Sequence, residues 1–466
     1  MELTATSPQE MEQRVEALRD YFESGTTRPY VARREALKAL RASVKTHEEE
    51  LLVAMHTDMR KPRFEAYMSD IGLVYAEIDH ALKNLKEWMR PEAVSTPLVL
   101  QVASSAMHRE PLGVVLIIGP WNYPALLVLS PLVGALAAGN CAVLKPSNET
   151  PHTAVVIERI VADGFDPAHV TVVQGPGSSI GPHLIERFRF DHIFFTGSPA
   201  VGRKIMAMAA PHLTPLTLEL GGKSPAIVDK DVDVVRAAKR IAWSKYFNAG
   251  QTCISTDHAL VHTSVMDRFI TAFAKSVSGF YGADPQQSPH FARLVNDRRF
   301  DMVKNYLGHG RVLLGGQHDV ADRYIAPTML VDVPLDSPPM REEIFGPALP
   351  VIPWTERDEL LDIVKRNPFP LATYIFSNDK EAQRYFSERI AFGGGCINHT
   401  LLHFGNPELS FGGVGTSGMG RYHGRHSFEL FSHHKGIVTA STLIDHGLQE
   451  PPYTTLKERI LRRLLH

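Results

Sequence analysis

The chain has 466 residues, of which 44% are apolar and 21% charged, with a formal net charge of −2. It exceeds the roughly 250 to 300 residues at which a single core stops growing, so two or more lobes are expected, and its balanced charge offers no footing for nucleic acid. Three cysteines, Cys141, Cys253 and Cys396, are odd in number and far apart, which argues against a disulfide framework or a cysteine metal pair and for a reducing compartment.

The amino-terminal "MELTATSPQEMEQRVEALRDYF" is acidic and polar where a secretory signal would be basic and then apolar, so a cytoplasmic protein is expected. Residues 9–90 carry apolar positions at helical spacing in "MEQRVEALRDYF", "REALKALRASVKTHEEELLVAM" and "YMSDIGLVYAEIDHALKNLKEWM". The Ser/Thr/Val-rich stretch that follows reads as an extended excursion. Pro111 to Leu144 contains no charge over a length that could span a bilayer. Its Gly and Pro punctuation divides it instead into strand "GVVLIIG", a small-residue helix ending at Gly139-Asn140, and strand "CAVLKP", so no integral membrane segment is expected. Strands and helices then alternate through "HTAVVIERIVADG", "VTVVQG", "SIGPHLIERF", "HIFFTG" and "AVGRKIMAMAA", the rhythm of a doubly wound parallel sheet. A second such pass begins after Glu219 with "SPAIVD", "DVVRAAKRIAWSKYF", "HALVHT" and "MDRFITAFAKSVSGF". The final "TLKERILRRLLH" reads as a short basic amphipathic helix that packs on the body or on a second subunit.

Several positions break these patterns. Asn122, between Trp121 and Tyr123 in "GPWNYP", stands at the end of a strand, where its amide could donate to a developing oxyanion or simply satisfy loop backbone. Lys145 closes the strand "CAVLK" at the edge where ligands of such sheets sit, though a lone lysine also reads as solvated. "FFTGSPAVGRK" puts Gly197, Ser198 and Gly202 at a strand-to-helix turn whose amides could hold a phosphate. "GPGSSIG" at 175–181 has one residue too many for a dinucleotide fingerprint. Glu219 interrupts the apolar run "LTLELGG", where a carboxyl must be paired or move protons, and Gly221 beside it permits a close backbone approach. Cys253 could be a small buried core residue, but it sits in the polar loop "FNAGQTC" rather than in a packed strand, where a thiol could also act as a nucleophile. His423, His426, His433 and His434 are neighbours in sequence, but no cysteine ligand or H-E-x-x-H pattern joins them, so no metal site is expected.

Together, "GPWNYP", "LKPSNET", "FTGSPAVG", "LELGGKSP", "FNAGQTC", "EEIFGP" and "FGGVGTSGMGRYHG" occur in this order, and the chain resembles the aldehyde dehydrogenase superfamily over nearly its whole length, its class 3 branch in particular. The resemblance implies an α/β protein with two doubly wound, Rossmann-like lobes and a small β arm for oligomerisation. The cofactor-binding part would cover 1–92 and 109–218, the catalytic part 219–410, the oligomerisation elements 93–108 and 425–440, and a tail 441–466. The strand-like "SFELFSHHKGIV" would belong to the arm and make a homodimer. The resemblance further implies Cys253 as nucleophile, Glu219 as general base and Asn122 as oxyanion donor. NAD or NADP would meet Trp121, Lys145 and Asn148 along the first lobe, Gly197, Ser198 and Gly202 at its phosphate turn, and Gly221, Glu343 and Phe345 near the nicotinamide. Many members carry a glutamate where this chain has Asn148, and its absence leaves the choice between NAD and NADP open. Tyr67 aligns loosely with a residue at the substrate mouth. The implied reaction oxidises an aromatic or medium- to long-chain aldehyde to its acid. Two other readings keep the fold: release of the acyl group to coenzyme A, against which Glu219 argues as a hydrolytic base, and a catalytically silent nucleotide-binding protein.

Overall fold

The computed structural model describes residues 3–465, so Met1, Glu2 and His466, at the two ends of the chain parts delimited above, lie outside the described residues. Two large sheets organise the chain. The first has the spatial order Gly418–Met419, Leu216–Glu219, His192–Thr196, Val114–Ile118, Cys141–Lys145, Val170–Val172. Its five long members are parallel, and only Gly418–Met419 runs against its neighbour. Numbered along the chain, these five strands lie in the order 5-4-1-2-3, the doubly wound arrangement in which helices cover both faces and a crevice opens where the order reverses. That reversal lies between Val114–Ile118 and His192–Thr196. The segments leaving their carboxyl ends are "GPWNYP" and "GSPAVG", so the topology itself brings two distant motifs to one crevice.

The second sheet has seven strands, in the order Arg311–Leu314, Thr328–Val331, Ala348–Trp354, His258–His262, Pro225–Val228, Ala372–Phe376, Gly394–Ile397. All are parallel except the edge strand Arg311–Leu314. A smaller antiparallel sheet joins Glu92–Val94, Ala103–Pro111 and Ser432–Ala440.

The uncharged stretch is explained by burial inside the protein. Val114–Ile118 and Cys141–Lys145 are central strands, and every residue of the helix between them, Leu126–Ala138, is buried. That helix ends at Gly139, with φ +89, where a Cβ would press into the Arg33 guanidinium, so glycine is required both by conformation and by space. Among the described residues no helix is long and apolar enough to cross a membrane.

One helical run is divided, and one expectation needs correction. The run "REALKALRASVKTHEEELLVAM" is two helices, Tyr30–Thr46 and Glu48–Met59, interrupted at His47. More consequentially, "SFELFSHHKGIV" is not one strand. Its first part lies in the helix Gly424–Leu430, and strand begins only at Ser432. The helix forms because Ser427 and Phe428 pack on Leu126–Ala138 so closely that a Cβ at Gly134 would meet Ser427 at 2.6 Å. Its first amides are also answered from elsewhere: the Gly424 N–H donates to buried Glu77 at 2.7 Å and the His423 N–H to Ser427 Oγ at 2.8 Å. Residues 411–431 therefore return to the first lobe before the chain enters the small sheet.

Candidate active site

A cleft of about 740 Å³ opens at the reversal point of the first sheet. The sequence-selected Trp121, Asn122, Lys145, Asn148, Gly197, Ser198, Glu219, Gly221, Cys253, Glu343 and Phe345 all line it. Gly202 does not. It faces inward, where a Cβ would meet Leu220 Cδ2 at 2.9 Å, so its smallness lets the helix Pro199–Ala209 lie against the strand that carries Glu219. Tyr67, 47% exposed, lies outside this cleft. The weak "GPGSSIG" signal proves informative, because Pro176, Gly177, Ser178 and Gly181 form part of the wall. Lys204, Arg298 and Arg299 also line it and carry no local sequence signal.

The Cys253 loop is built by backbone conformation and a closed set of hydrogen bonds. Asn248 and Ala249 take left-handed backbone angles, φ +52 and +51, a costly geometry that turns the chain sharply before the cysteine. Asn248 Nδ2 donates to the carbonyls of Asn122 (3.0 Å) and Gln251 (3.3 Å), and Asn122 Nδ2 donates to the Gln251 carbonyl at 3.0 Å. Since a side-chain amide has two N–H groups, one on Asn122, a residue that lines the cleft, is without a partner among the described residues. Tyr123 and Thr252 share a hydroxyl hydrogen bond of 2.5 Å. The loops of Asn122 and Cys253, 131 positions apart, are thus stitched together.

The titrating groups are dominated by burial. Cys253 is half-buried at the surface of the core, and desolvation, then the Glu343 and Glu219 carboxyls, push its thiol up to about 12. Glu219, 2% exposed, is pushed well above the carboxylate range by desolvation, and neither of its oxygens has a partner among the described residues. Glu343 is raised to about 8 by burial and by the Asp257 charge, against the opposing pull of the Gly222 N–H, Arg299 and Lys223. Lys145, read alternatively as a solvated lysine, is buried, donates to the Pro146 carbonyl at 2.8 Å and is lowered to about 8.

These residues fit a dinucleotide. Gly221 lies so close to Glu343 that a Cβ would meet its Oε2 at 2.0 Å, while Oε1 is buried and without a partner among the described residues, an acceptor held ready for hydroxyls. Trp121 and Phe345 meet edge to face with ring centroids 5.3 Å apart, and the Arg299 guanidinium lies 5.2 Å from the Phe345 ring. At the other end the helix Pro199–Ala209 begins behind Ser198, whose hydroxyl caps the Val201 N–H at 3.4 Å. Two α/β lobes, a cleft at the reversal point of one and a cysteine loop from the other closing it define a dinucleotide-dependent oxidoreductase.

The family model described as "Aldehyde dehydrogenase family" matches residues 1–437. The chain is 43% identical over 445 residues to 4,4'-diaponeurosporen-aldehyde dehydrogenase of Staphylococcus aureus, covering 95% of this chain and 96% of that one. It is 44% identical over 446 residues to human aldehyde dehydrogenase family 3 member B1, with 95% of each chain covered. The substrate-bound structure of Staphylococcus aureus AldH superposes with a TM-score of 0.95 at 42% identity, over 98% of this chain and 99% of that one. The chain belongs to the aldehyde dehydrogenase family and is an NAD(P)-dependent enzyme that oxidises aldehydes to carboxylic acids.

Proposed function

We propose that Cys253 is the nucleophile, Asn122 the oxyanion donor and Glu219 the base of this oxidation. The observation that carries the assignment is that all three line one cleft with Glu343, the Cys253 loop being hydrogen-bonded to the Asn122 loop. The Cys253 thiol gives up its proton to solvent, its sulfur bonds to the aldehyde carbon, and the carbonyl oxygen becomes an alkoxide met by the second N–H of Asn122 Nδ2 and the Cys253 backbone N–H. Bound in the cleft, NAD(P) would supply the acceptor for the hydride that this carbon must lose. What stays on the protein is a Cys253 thioester. Glu219 takes a proton from water as the water oxygen attacks the thioester, the C–S bond breaks to release the acid, and the proton on Glu219 passes to the departing sulfur to restore the thiol. A carboxyl whose affinity for protons is raised by burial is a stronger base, once ionised, than an exposed one.

For the cofactor, Glu343 is placed at the nicotinamide ribose, with Phe345 and Trp121 packing nearby. Gly197 and Ser198 stand at the phosphates and Lys145 and Asn148 at the adenosine ribose. Asn148 brings no charge against a 2′-phosphate, which supports use of NADP beside NAD. The substrates we propose are aromatic or medium- to long-chain aldehydes, in keeping with the 4,4'-diaponeurosporen-aldehyde in the name of the staphylococcal relative.

The cofactor-binding part is assigned to 1–92 and 109–218, the catalytic part to 219–410 and the arm to 93–108 with 432–440. A homodimer through the arm is supported by its nine-residue edge strand Ser432–Ala440, which among the described residues pairs on one side only and exposes Val438 at 56%. A cytoplasmic location is supported by three unpaired cysteines.

The test is Glu219→Gln under rapid mixing with aldehyde and cofactor. The first turnover should survive as a burst of reduced nicotinamide near one per site, followed by a steady state slower by roughly 10²- to 10⁴-fold. Full steady-state activity in this variant would remove Glu219 from the role.

A further inference from the structure

Lys61 and Asp70 form an ion pair at 2.6 Å, and both side chains are completely shielded from solvent. A wholly buried ion pair is not a source of net stability, since taking two charges out of water offsets or exceeds their attraction. Its contacts suggest a different purpose. Lys61 Nζ also donates to the Asn122 carbonyl at 3.3 Å and lies 4.0 Å from the centre of the Tyr123 ring. Asp70 Oδ1 accepts from the N–H groups of Ala125 (3.2 Å) and Leu126 (3.1 Å), at the start of the buried helix Leu126–Ala138. The two partners therefore hold the two ends of the loop 122–126.

Between them in sequence, Glu65 Oε2 accepts from the Asn248 N–H at 2.9 Å, at the first of the two left-handed residues that turn the chain toward Cys253. Asn248 in turn ties the Asn122 carbonyl to that of Gln251. One ten-residue segment thus grips both the loop that carries the oxyanion donor and the loop that carries the thiol.

We propose that Lys61 and Asp70 are positioning residues that fix the Asn122 amide relative to Cys253. They act through Asn122 and touch neither substrate nor cofactor. The inference rests on the assignment of Asn122 made above. Because the hydrogen bonds of Lys61 and Asp70 to the loop go to backbone, and none of their contacts uses the Asn122 side chain, they persist when that side chain is removed, which permits a clean double-mutant cycle.

The cycle compares Asp70→Asn with wild type, and the same substitution in an Asn122→Ala background, with kcat/KM for aldehyde, calorimetric NAD affinity and Tm recorded for each. Asparagine keeps the shape and the acceptor oxygen for the two amides but loosens the hold on Lys61. Displacing a reacting group by a fraction of an ångström should lower kcat/KM roughly ten-fold or more in the wild-type background, with NAD affinity unchanged. In the Asn122→Ala background the same change should cost less than about two-fold, because the group being positioned is gone. An equal loss in both backgrounds, or no loss in the first, overturns the proposal. If Asp70→Asn fails to fold, Lys61→Met, which removes the other end of the pair, answers the same question by the same background dependence. Full activity in Asn122→Ala alone would instead overturn the oxyanion assignment beneath it.

Discussion

In the cofactor-free protein Cys253 should be a slow thiol. Burial, the Glu343 carboxyl and the Glu219 carboxyl hold it near 12 against an ordinary 9.0. At pH 8 an ordinary thiol is then about one-tenth thiolate and Cys253 about one part in 10⁴, a deficit of about 10³ in the reactive form. A more basic thiolate is intrinsically more nucleophilic, with a Brønsted slope of about 0.4 to 0.5, which returns about 15- to 30-fold. The net expectation is alkylation by iodoacetamide about 50-fold slower than that of free cysteine at pH 8. Peptide-resolved mass spectrometry separates Cys253 from buried Cys141 and from Cys396, whose sulfur lies 3.5 Å from His403 Nδ1. The Cys253 rate should climb from pH 7 to 10 without a plateau, less steeply where Glu343 ionises near pH 8. Glu343→Gln should raise the rate more than Glu219→Gln, since Glu343 contributes the larger of the two charge effects. A plateau at or below pH 9, or a rate equal to that of free cysteine, would refute the claim that burial and two carboxyls govern this sulfur.

Three further outcomes are expected. Cys253→Ala should abolish dehydrogenase activity while leaving cofactor affinity intact, whereas Cys141→Ala, in the buried strand Cys141–Lys145, and Cys396→Ala should remain active; equal activity of all three would remove Cys253 from the mechanism. Asn148→Glu should shift the kcat/KM ratio toward NAD by placing a negative charge against a 2′-phosphate, and an unchanged ratio would show that Asn148 does not face the adenosine ribose. Gly221→Ala must displace the Glu343 carboxylate, since the new methyl would fall 2.0 Å from Oε2, and should weaken NAD affinity by about ten-fold in a calorimetric titration.

Much of the scaffold is legible along the chain because it is local. The runs "GVVLIIG", "CAVLKP", "HIFFTG", "SPAIVD" and "HALVHT" fall on Val114–Ile118, Cys141–Lys145, His192–Thr196, Pro225–Val228 and His258–His262, where an apolar, β-branched run with Gly or Pro at its ends suffices. The helix Gly424–Leu430 reads as strand in the sequence because Phe428 and Phe431 suit either period, and its partner, the small face around Gly134, lies almost 300 residues earlier. For the same reason Gly418–Met419 is invisible as a strand: two residues carry no period, and only the free edge of Leu216–Glu219 makes them one. Individual site residues betrayed themselves by breaking a local rule, as Glu219 does inside an apolar run. Lys61 and Asp70 broke none that could be seen, because a charge in a helical stretch reads as a solvated face until its burial is known.

Some of the buried unpartnered atoms and left-handed residues, though not most, gather at the cleft. Buried polar atoms without a partner among the described residues include both oxygens of Glu219, Glu343 Oε1, Thr196 Oγ1 and Arg299 Nε, and all four residues line the cleft. Asn248 Oδ1, in the turn that leads to Cys253, is another. Left-handed backbone at residues with a side chain recurs there too, at Asn248, Ala249 and Phe345. Each such feature costs about 1 to 3 kcal/mol, which a packed interior tolerates only where surrounding structure enforces it. Here the enforcement is visible: the parallel strands fix Glu219 and Thr196 side by side, Glu65 holds the Asn248 N–H, and the Lys61–Asp70 pair holds the loop of Asn122. An unpartnered carboxyl in an apolar wall is unfavourable for a protein at rest, but it is the state in which a carboxyl has no competing hydrogen bond when a water or a ribose hydroxyl arrives.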